Sequence, residues 1–197
     1  KIYVGNSGTS MRFLTALVAL KRGRTLLDGS ERMRKRPVAD LLDGLRALGV
    51  KAYFRDGNGC PPVIIESRGL HGGKVKIRGE ESSQFLSALL MVAPYAIEDV
   101  HVEITGNLAS RPYVDITCDV MSAFGVEVQS EGYHSFFVQA GQRYQPRKYR
   151  IEGDASHASY FFSAAAVTEG RVRAERFSST SLQGDTGFLN ILEKMGC

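Results

Sequence analysis

The stretch Gly8-Thr-Ser-Met-Arg-Phe-Leu-Thr-Ala-Leu17 begins with small polar residues and continues as an apolar helix, and this pattern returns twice along the chain. The second copy is Ser82-Ser-Gln-Phe-Leu-Ser-Ala-Leu-Leu90, and the third is Asp154-Ala-Ser-His-Ala-Ser-Tyr-Phe-Phe-Ser163. Equivalent positions lie about 71 to 76 residues apart, a spacing typical of an internal structural repeat.

The residues after each of these helices predict the rest of the repeat. A short β run follows at 24–28, 100–105 and 171–177. A second helix then begins with Pro37 or Pro112 at its first position, where the missing N–H is no loss, and it ends at Gly49 or Gly125 with a left-handed cap. Alternating strand pairs come next, at 51–55 with 63–66 and at 126–129 with 135–139. The predicted class is α/β (α+β), built from βαβαββ units.

Two copies of the unit predict one domain over residues 1–150, with the sheets outside and the helices inside. The third copy begins a second domain over residues 151–197, with the crossing at 149–153. The chain opens in a strand pattern and stops directly after a helix pattern. We therefore expect it to be a fragment that lacks both ends of a longer protein.

Composition excludes several classes of protein. Of the 197 residues, 43% are hydrophobic and 23% are charged, as in ordinary globular domains. No apolar run approaches the roughly 18 residues that span a bilayer, so no membrane partner is expected. The three cysteines are odd in number and widely spaced, which favours a reducing, cytoplasmic location over a disulfide scaffold or a zinc site.

Charge is concentrated near the start of the chain. Residues 1–36 contain nine Lys or Arg against two acids, a net of +7, whereas the whole chain carries +4. Such a surface attracts anions, either phosphate metabolites or nucleic acid, although a solvated basic face has the same composition.

Four stretches could hold an anion. The glycine-rich turn before Gly8 opens a helix but is neither a Walker A loop nor a dinucleotide turn, and it could be an ordinary N-cap.

Ser82, Ser83 and Gln84 could cap a helix or hold a phosphate, and Ser110 leaves the same choice open. Tyr113 could belong to the core or line a polar pocket. In Arg32-Met-Arg-Lys-Arg36, Arg36 is best placed to reach a ligand, while Arg34 and Lys35 are interpreted as solvated.

Taken together, these strings resemble the 5-enolpyruvylshikimate-3-phosphate (EPSP) synthase family. The matching strings, in family order over the whole chain, are Gly5-Asn-Ser-Gly-Thr-Ser-Met-Arg12, Arg32-Met-Arg-Lys-Arg-Pro37, Ser82–Leu90, Ser110-Arg-Pro-Tyr113 and Glu152-Gly-Asp-Ala-Ser-His-Ala-Ser-Tyr160. The resemblance implies an inside-out α/β barrel domain and the start of a second. It also implies transfer of the enolpyruvyl group of phosphoenolpyruvate to the 5-hydroxyl of shikimate 3-phosphate, without metal or cofactor.

Site residues follow from the same resemblance. It implies that phosphoenolpyruvate is bound by Gly8, Arg36 and Gln84, and that shikimate 3-phosphate is bound by Ser82, Ser83, Gln84, Ser110 and Tyr113. The general base of the family would lie beyond Cys197, so no catalytic residue is expected within the chain. Glyphosate inhibition in the family depends on room beside the glycine that Gly8 matches, and Phe13 stands where many members have proline.

Three other hypotheses about the function stay open. The sister enzyme, UDP-N-acetylglucosamine enolpyruvyltransferase, carries a loop cysteine where this chain has Glu31. An RNA 3′-phosphate cyclase shares the repeat architecture, and a non-catalytic basic binding module would share the charge. The favoured hypothesis predicts a monomeric parent enzyme that binds no nucleic acid. It also predicts that this chain alone binds the substrates weakly and does not catalyse, because catalysis needs groups from both walls of the cleft.

Overall fold

The structure is a computed structural model that describes residues 1–178 and 180–197. Backbone contacts divide the chain into two compact units, 1–145 and 146–197. None of the helices formed by the described residues is long and apolar enough to cross a membrane.

The first unit contains the two predicted repeats, each a four-stranded sheet with two helices. The first repeat runs β1 (Ile2–Tyr3), α1 (Gly8–Val18), β2 (Gly23–Asp28), α2 (Ala39–Ala47), β3 (Lys51–Phe54) and β4 (Val63–Ser67). The second runs β5 (Gly73–Arg78), α3 (Ser83–Val92), β6 (Val100–Thr105), α4 (Arg111–Ala123), β7 (Gln129–Glu131) and β8 (Ser135–Val138). The βαβαββ prediction is confirmed in both repeats.

Both sheets have the same topology. The strand orders are β1-β2-β4-β3 and β5-β6-β8-β7. The first two strands of each repeat are parallel, because a helix carries the chain back between them, and the remaining pairs are antiparallel. Equivalent helices of the two repeats therefore begin at equivalent ends of their sheets.

The helices enclose one core that both repeats share. Helix α3 is apolar on nearly every side, as a helix surrounded by protein must be, and it packs against α1, α2 and α4. Helix α2 buries an apolar stripe that includes Leu41, Leu42 and Leu45. Gly44 of α2 lies so close to α3 that an added Cβ would be 2.8 Å from Leu89 Cδ1. The first repeat is thus packed directly against the second.

Two element boundaries differ from the prediction. Pro37 is not the first residue of α2, because Val38 is non-helical and donates its N–H to the Gly59 carbonyl (3.1 Å). Pro112 does lie in the first turn of α4. The predicted strand at 126–129 is displaced to Gln129–Glu131, because the Val126 N–H donates back to the Met121 carbonyl (2.9 Å) in the turn that ends α4. The predicted left-handed glycine caps are confirmed, with φ of +86° at Gly49 and +85° at Gly125.

The second unit contains α5 (Ala155–Val167) and α6 (Phe188–Lys194). Asp154 is the N-cap of α5, accepting a hydrogen bond from the His157 N–H (2.9 Å). The strand predicted at 171–177 is wrong. Gly153 donates to the Arg176 carbonyl (2.9 Å), but the segment is largely exposed and forms no ladder with another described strand.

Candidate functional site

The N-terminus of α1 is formed by the glycine-rich turn. Ser7 is the N-cap residue, and its hydroxyl accepts a hydrogen bond from the Ser10 N–H (3.2 Å). Gly5 takes a positive φ of +58° and accepts a hydrogen bond from the Ser30 N–H (2.8 Å). The turn is thereby attached to the loop that follows β2, which carries the basic string.

Gln84 connects the first helices of the two repeats. Its Oε1 accepts a hydrogen bond from Arg12 Nη1 (2.6 Å), and its Nε2 donates to Thr9 Oγ1 (3.3 Å). Arg12 also donates to Ser82 Oγ (3.3 Å) and lies over the ring of Phe85 at 5.0 Å. The start of α1 and the start of α3, about 75 residues apart in sequence, therefore form one surface.

Arg36 lies beside Gly8, with its guanidinium close to the start of α1. A Cβ built on Gly8 would be 2.7 Å from Arg36 Nη1, so the glycine leaves the room that the guanidinium occupies. Arg36 is partly buried, and within the described part of the chain it has no ion pair or side-chain hydrogen bond. A free guanidinium at a helix N-terminus is a site for a carboxylate or a phosphate.

The basic loop is held by a buried carboxylate. Asp28, only 2% exposed at the end of β2, accepts hydrogen bonds from Arg34 Nε (2.9 Å) and Arg34 Nη2 (2.8 Å). The Gly29 N–H donates to the same carboxylate (2.8 Å). Arg34 is exposed, as expected, but it also neutralises Asp28 and fixes the loop, a role that the sequence did not predict. Lys35 is exposed as expected.

The remaining predicted residues lie at the starts of α3 and α4. Ser82 is the N-cap of α3, accepting from the Gln84 N–H (3.3 Å), and Ser83 is buried. Ser110 occupies the N-cap position of α4 with φ of +54°, but its side chain makes no capping hydrogen bond. Tyr113 is 53% exposed on the first turn of α4, which excludes it from the core. Neither Ser110 nor Tyr113 hydrogen-bonds to the Ser82–Gln84 segment, although α4 packs on α3.

Among the described residues, no carboxylate forms an ion pair with Arg12 or Arg36. The first turns of α1, α3 and α4 contain no acidic residue, although carboxylates are favourable at that position. Burial, together with the nearby charge of Arg36, lowers the pKa of the Arg12 guanidinium, which nevertheless stays charged at neutral pH. Two guanidiniums and the N-termini of α1 and α3 can together bind a multiply negative ligand. No group of three or more His, Cys, Asp or Glu side chains suited to a metal occurs among the residues described.

Two participants were missed from the sequence. These are Arg12, the last residue of the glycine-rich string, and Asp28, the last residue of the strand predicted at 24–28. The signal for Asp28 was an acid at the end of an apolar strand followed by four cations. For Arg12 no sequence signal exists, because its partners lie 70 and 72 residues further along the chain.

Comparison with known proteins identifies the family that this chain matches. The family model for EPSP synthase (3-phosphoshikimate 1-carboxyvinyltransferase) matches residues 1–197. A 3-phosphoshikimate 1-carboxyvinyltransferase of Shewanella halifaxensis is 50% identical over 196 residues, which is 99% of this chain and 46% of that protein. The chloroplastic protein of the same name from Solanum lycopersicum is 52% identical over 201 residues, covering all of this chain and 39% of that protein.

Solved structures agree with these relatives. An EPSP synthase from Acinetobacter baumannii superimposes with a TM-score of 0.78 at 26% identity, over 98% of this chain and 42% of that one. This likeness confirms the predicted enolpyruvyl transferase fold. The chain spans about half the length of the curated relatives that it matches.

Proposed function

Because the chain belongs to the EPSP synthase family, we propose that it forms part of an enzyme that transfers the enolpyruvyl group of phosphoenolpyruvate to the 5-hydroxyl of shikimate 3-phosphate, releasing phosphate. The reaction would serve chorismate and aromatic amino acid biosynthesis. The observation that carries the proposal is the Arg36 guanidinium beside Gly8, which has no ion-pair partner among the described residues and lies on the surface where Gln84 joins the two repeats.

The two substrates would use different parts of this surface. Phosphoenolpyruvate, with a carboxylate and a phosphate, would bind Arg36 beside Gly8 and contact Gln84. Shikimate 3-phosphate would place its phosphate at the hydroxyls of Ser82, Ser83 and Ser110, with Tyr113 beside its ring. Helix N-termini bind such anions through free N–H groups and the helix dipole, so neither a metal nor an organic cofactor is needed for binding.

The chain contributes binding and orientation rather than proton transfer. Arg12 would stabilise negative charge on the substrates and hold the Gln84 amide, so that its Nε2 faces Thr9. Fixing both substrates on one rigid surface supplies proximity, which accelerates a reaction between two bound molecules. The general base belongs, in this proposal, to the part of the protein outside the chain.

We also propose a division into an N-terminal domain over 1–150 and the first part of a second domain over 151–197. The parent protein would be a cytoplasmic monomer that binds no nucleic acid and is a target of glyphosate. The cysteines at 60, 118 and 197 are free thiols, which supports a reducing compartment.

Replacing Arg36 with glutamine is expected to weaken phosphoenolpyruvate binding about tenfold or more, because one charge-assisted bidentate contact is lost. Equilibrium dialysis of labelled phosphoenolpyruvate against the chain measures the dissociation constant. Lys35→Gln is the matched control, since it removes the same charge from the neighbouring exposed residue. Equal losses in the two variants would contradict the role of Arg36. Tighter binding of UDP-N-acetylglucosamine than of shikimate 3-phosphate would overturn the proposed function.

Gly8→Ala is expected to raise the dissociation constant for phosphoenolpyruvate several-fold with almost no change in stability. The new Cβ displaces the end of a flexible side chain, Arg36, and no backbone. Thermal unfolding and the same dialysis separate the two effects. Gly187→Ala, which adds a Cβ into open space, is the control. A large loss of stability in Gly8→Ala with unchanged affinity would refute this account.

A further inference from the structure

We propose that a second anion site lies in the first unit, in a basic groove that binds a small polyphosphate. The groove has a volume of about 980 Å³, and nine residues from the start of β2, the start of β3 and the end of β4 line it. Its charged or titratable side chains, which define the basic groove, are Arg22, Arg24, Lys51, Glu66, Arg68 and His71. Nothing in the proposed reaction uses these residues.

Strand register explains why the cations converge. Arg24 pairs with Glu66 across β2 and β4, and Lys51 pairs with the same Glu66 across β3 and β4. Side chains of directly paired residues lie on the same face of a sheet, so the three form a row. Gly23 is opposite Ser67, which brings the flanking Arg22 and Arg68 to the same end of the sheet.

The groove has more positive charge than it can neutralise. Glu66 is fully engaged, with Arg24 Nε at 3.3 Å, Lys51 Nζ at 2.9 Å and the Tyr53 hydroxyl donating at 2.7 Å. Hydrogen bonds from Tyr53 and Lys51 lower the pKa of Glu66, so it remains ionised. Arg22 and Arg68 make no ion pair with any residue that the structure describes. Four cations against one carboxylate leave a net of +3 for a ligand.

The shape favours a small ligand over a protein partner. The volume falls in the ordinary range for small-molecule sites, about 300–1,000 Å³. Guanidinium groups bind phosphate oxygens in pairs, and three of the four cations are arginines. A linear polyphosphate can contact several of them at once.

The basic groove is separate from the proposed substrate surface. Gly8 begins α1, whereas Arg22 and Gly23 follow its other end. A helix of 11 residues is about 16 Å long, so one small ligand cannot contact both places. The groove also lies on the first repeat, at the end of the sheet away from the glycine-rich turn. The two sites can therefore be tested independently.

The test uses inorganic tripolyphosphate as the probe and the whole 197-residue chain. Calorimetric titration at about 0.15 M ionic strength gives the affinity, and ¹⁵N–¹H spectra locate the site. We expect amide shifts at Gly23, Gly49 and Gly69, and an affinity about tenfold weaker in Arg22→Gln/Arg68→Gln. The control double variant, Arg171→Gln/Arg173→Gln, removes two exposed arginines elsewhere and should bind as the unaltered chain does.

Several outcomes would overturn the proposal. Shifts confined to Gly8 and Gln84 would place tripolyphosphate on the substrate surface instead. Equal weakening of tripolyphosphate binding in both double variants would show that the net charge of the chain, and not the basic groove, determines the affinity. Tighter binding of a polyglutamate peptide than of tripolyphosphate, lost in Arg22→Gln/Arg68→Gln, would identify a site for an acidic protein rather than a small polyphosphate. Circular dichroism of each variant excludes unfolding as the cause.

Discussion

Replacing Asp28 with alanine is expected to lower the free energy of unfolding by about 2 kcal/mol. The carboxylate is buried and accepts three hydrogen bonds, two from Arg34 and one from the Gly29 N–H. The expected loss is below the roughly 3–5 kcal/mol of a fully buried pair, because Arg34 is 42% exposed and can be rehydrated when its partner is removed. Urea unfolding of both proteins measures the difference.

An exposed ion pair provides the control. Asp43 pairs with Arg46 on the surface of α2, and its side chain is 64% exposed. Asp43→Ala should change stability by less than about 0.5 kcal/mol, as is usual for exposed helix pairs. A cost in Asp43→Ala as large as that in Asp28→Ala would contradict the account of the buried pair.

The Asp28 contribution should also depend on pH. Hydrogen bonds from Arg34, followed by that from Gly29, hold the pKa of Asp28 below its ordinary value, although burial acts in the opposite direction. A carboxyl group with a lowered folded-state pKa stabilises the fold above its unfolded pKa of about 4, and this contribution is lost as the pH falls below that value. The stability difference between the unaltered chain and Asp28→Ala should be constant from about pH 5 to 7 and shrink below about pH 4. If this stability difference grew as the pH fell, ionisation of Asp28 would not be its cause.

The same variant bears on ligand binding. The Asp28 and Arg34 pair fixes the loop that ends at Arg36, so Asp28→Ala should also weaken phosphoenolpyruvate binding several-fold. Arg34 does not itself face Gly8, and the effect would act through the position of Arg36. Unchanged affinity in a folded Asp28→Ala protein would show that Arg36 is positioned by other contacts.

Leu89→Ala is expected to lower the free energy of unfolding by about 3 kcal/mol, more than Asp28→Ala does. Leu89 is completely buried in α3, and its Cδ1 lies against Gly44 of α2, where the two repeats meet. The loss combines the removed apolar surface with a cavity that α2 cannot fill, since Gly44 has no side chain. Chemical denaturation measures it.

Leu17 offers a matched control on α1. It is 53% exposed, so Leu17→Ala removes the same atoms with little loss of burial and should cost less than about 0.5 kcal/mol. If Leu89→Ala were equally mild, the repeats would not share a core. The common surface at the helix N-termini would then lack its structural basis.

Much of the fold could be predicted from the sequence because each pattern occurs again in the next repeat. A helix start, a strand and a glycine cap found at one place could be checked 71 to 76 residues later. The prediction failed where local pattern and hydrogen bonding disagree. Val126 is apolar and suits a strand, yet its N–H is used to end α4. Residues 171–177 have a strand pattern but pair with no described strand.

The candidate site was less accessible, because its geometry depends on contacts between distant residues. The helix starts at Gly8 and Ser82 could be recognised as anion sites from their residue types. That Gln84 joins them through Arg12 could not, since this requires the packing of α1 against α3. The role of Arg34 depended on the burial of Asp28, which a strand pattern does not reveal.

The most direct measurement is a ¹⁵N–¹H titration of the chain with shikimate 3-phosphate and phosphoenolpyruvate together. The account predicts simultaneous amide shifts at Gly8, Gln84 and Ser110, which come from three helix N-termini in two repeats, with UDP-N-acetylglucosamine producing none of them. Shifts at only one of these helix starts, or the same shifts with the UDP-sugar, would contradict it.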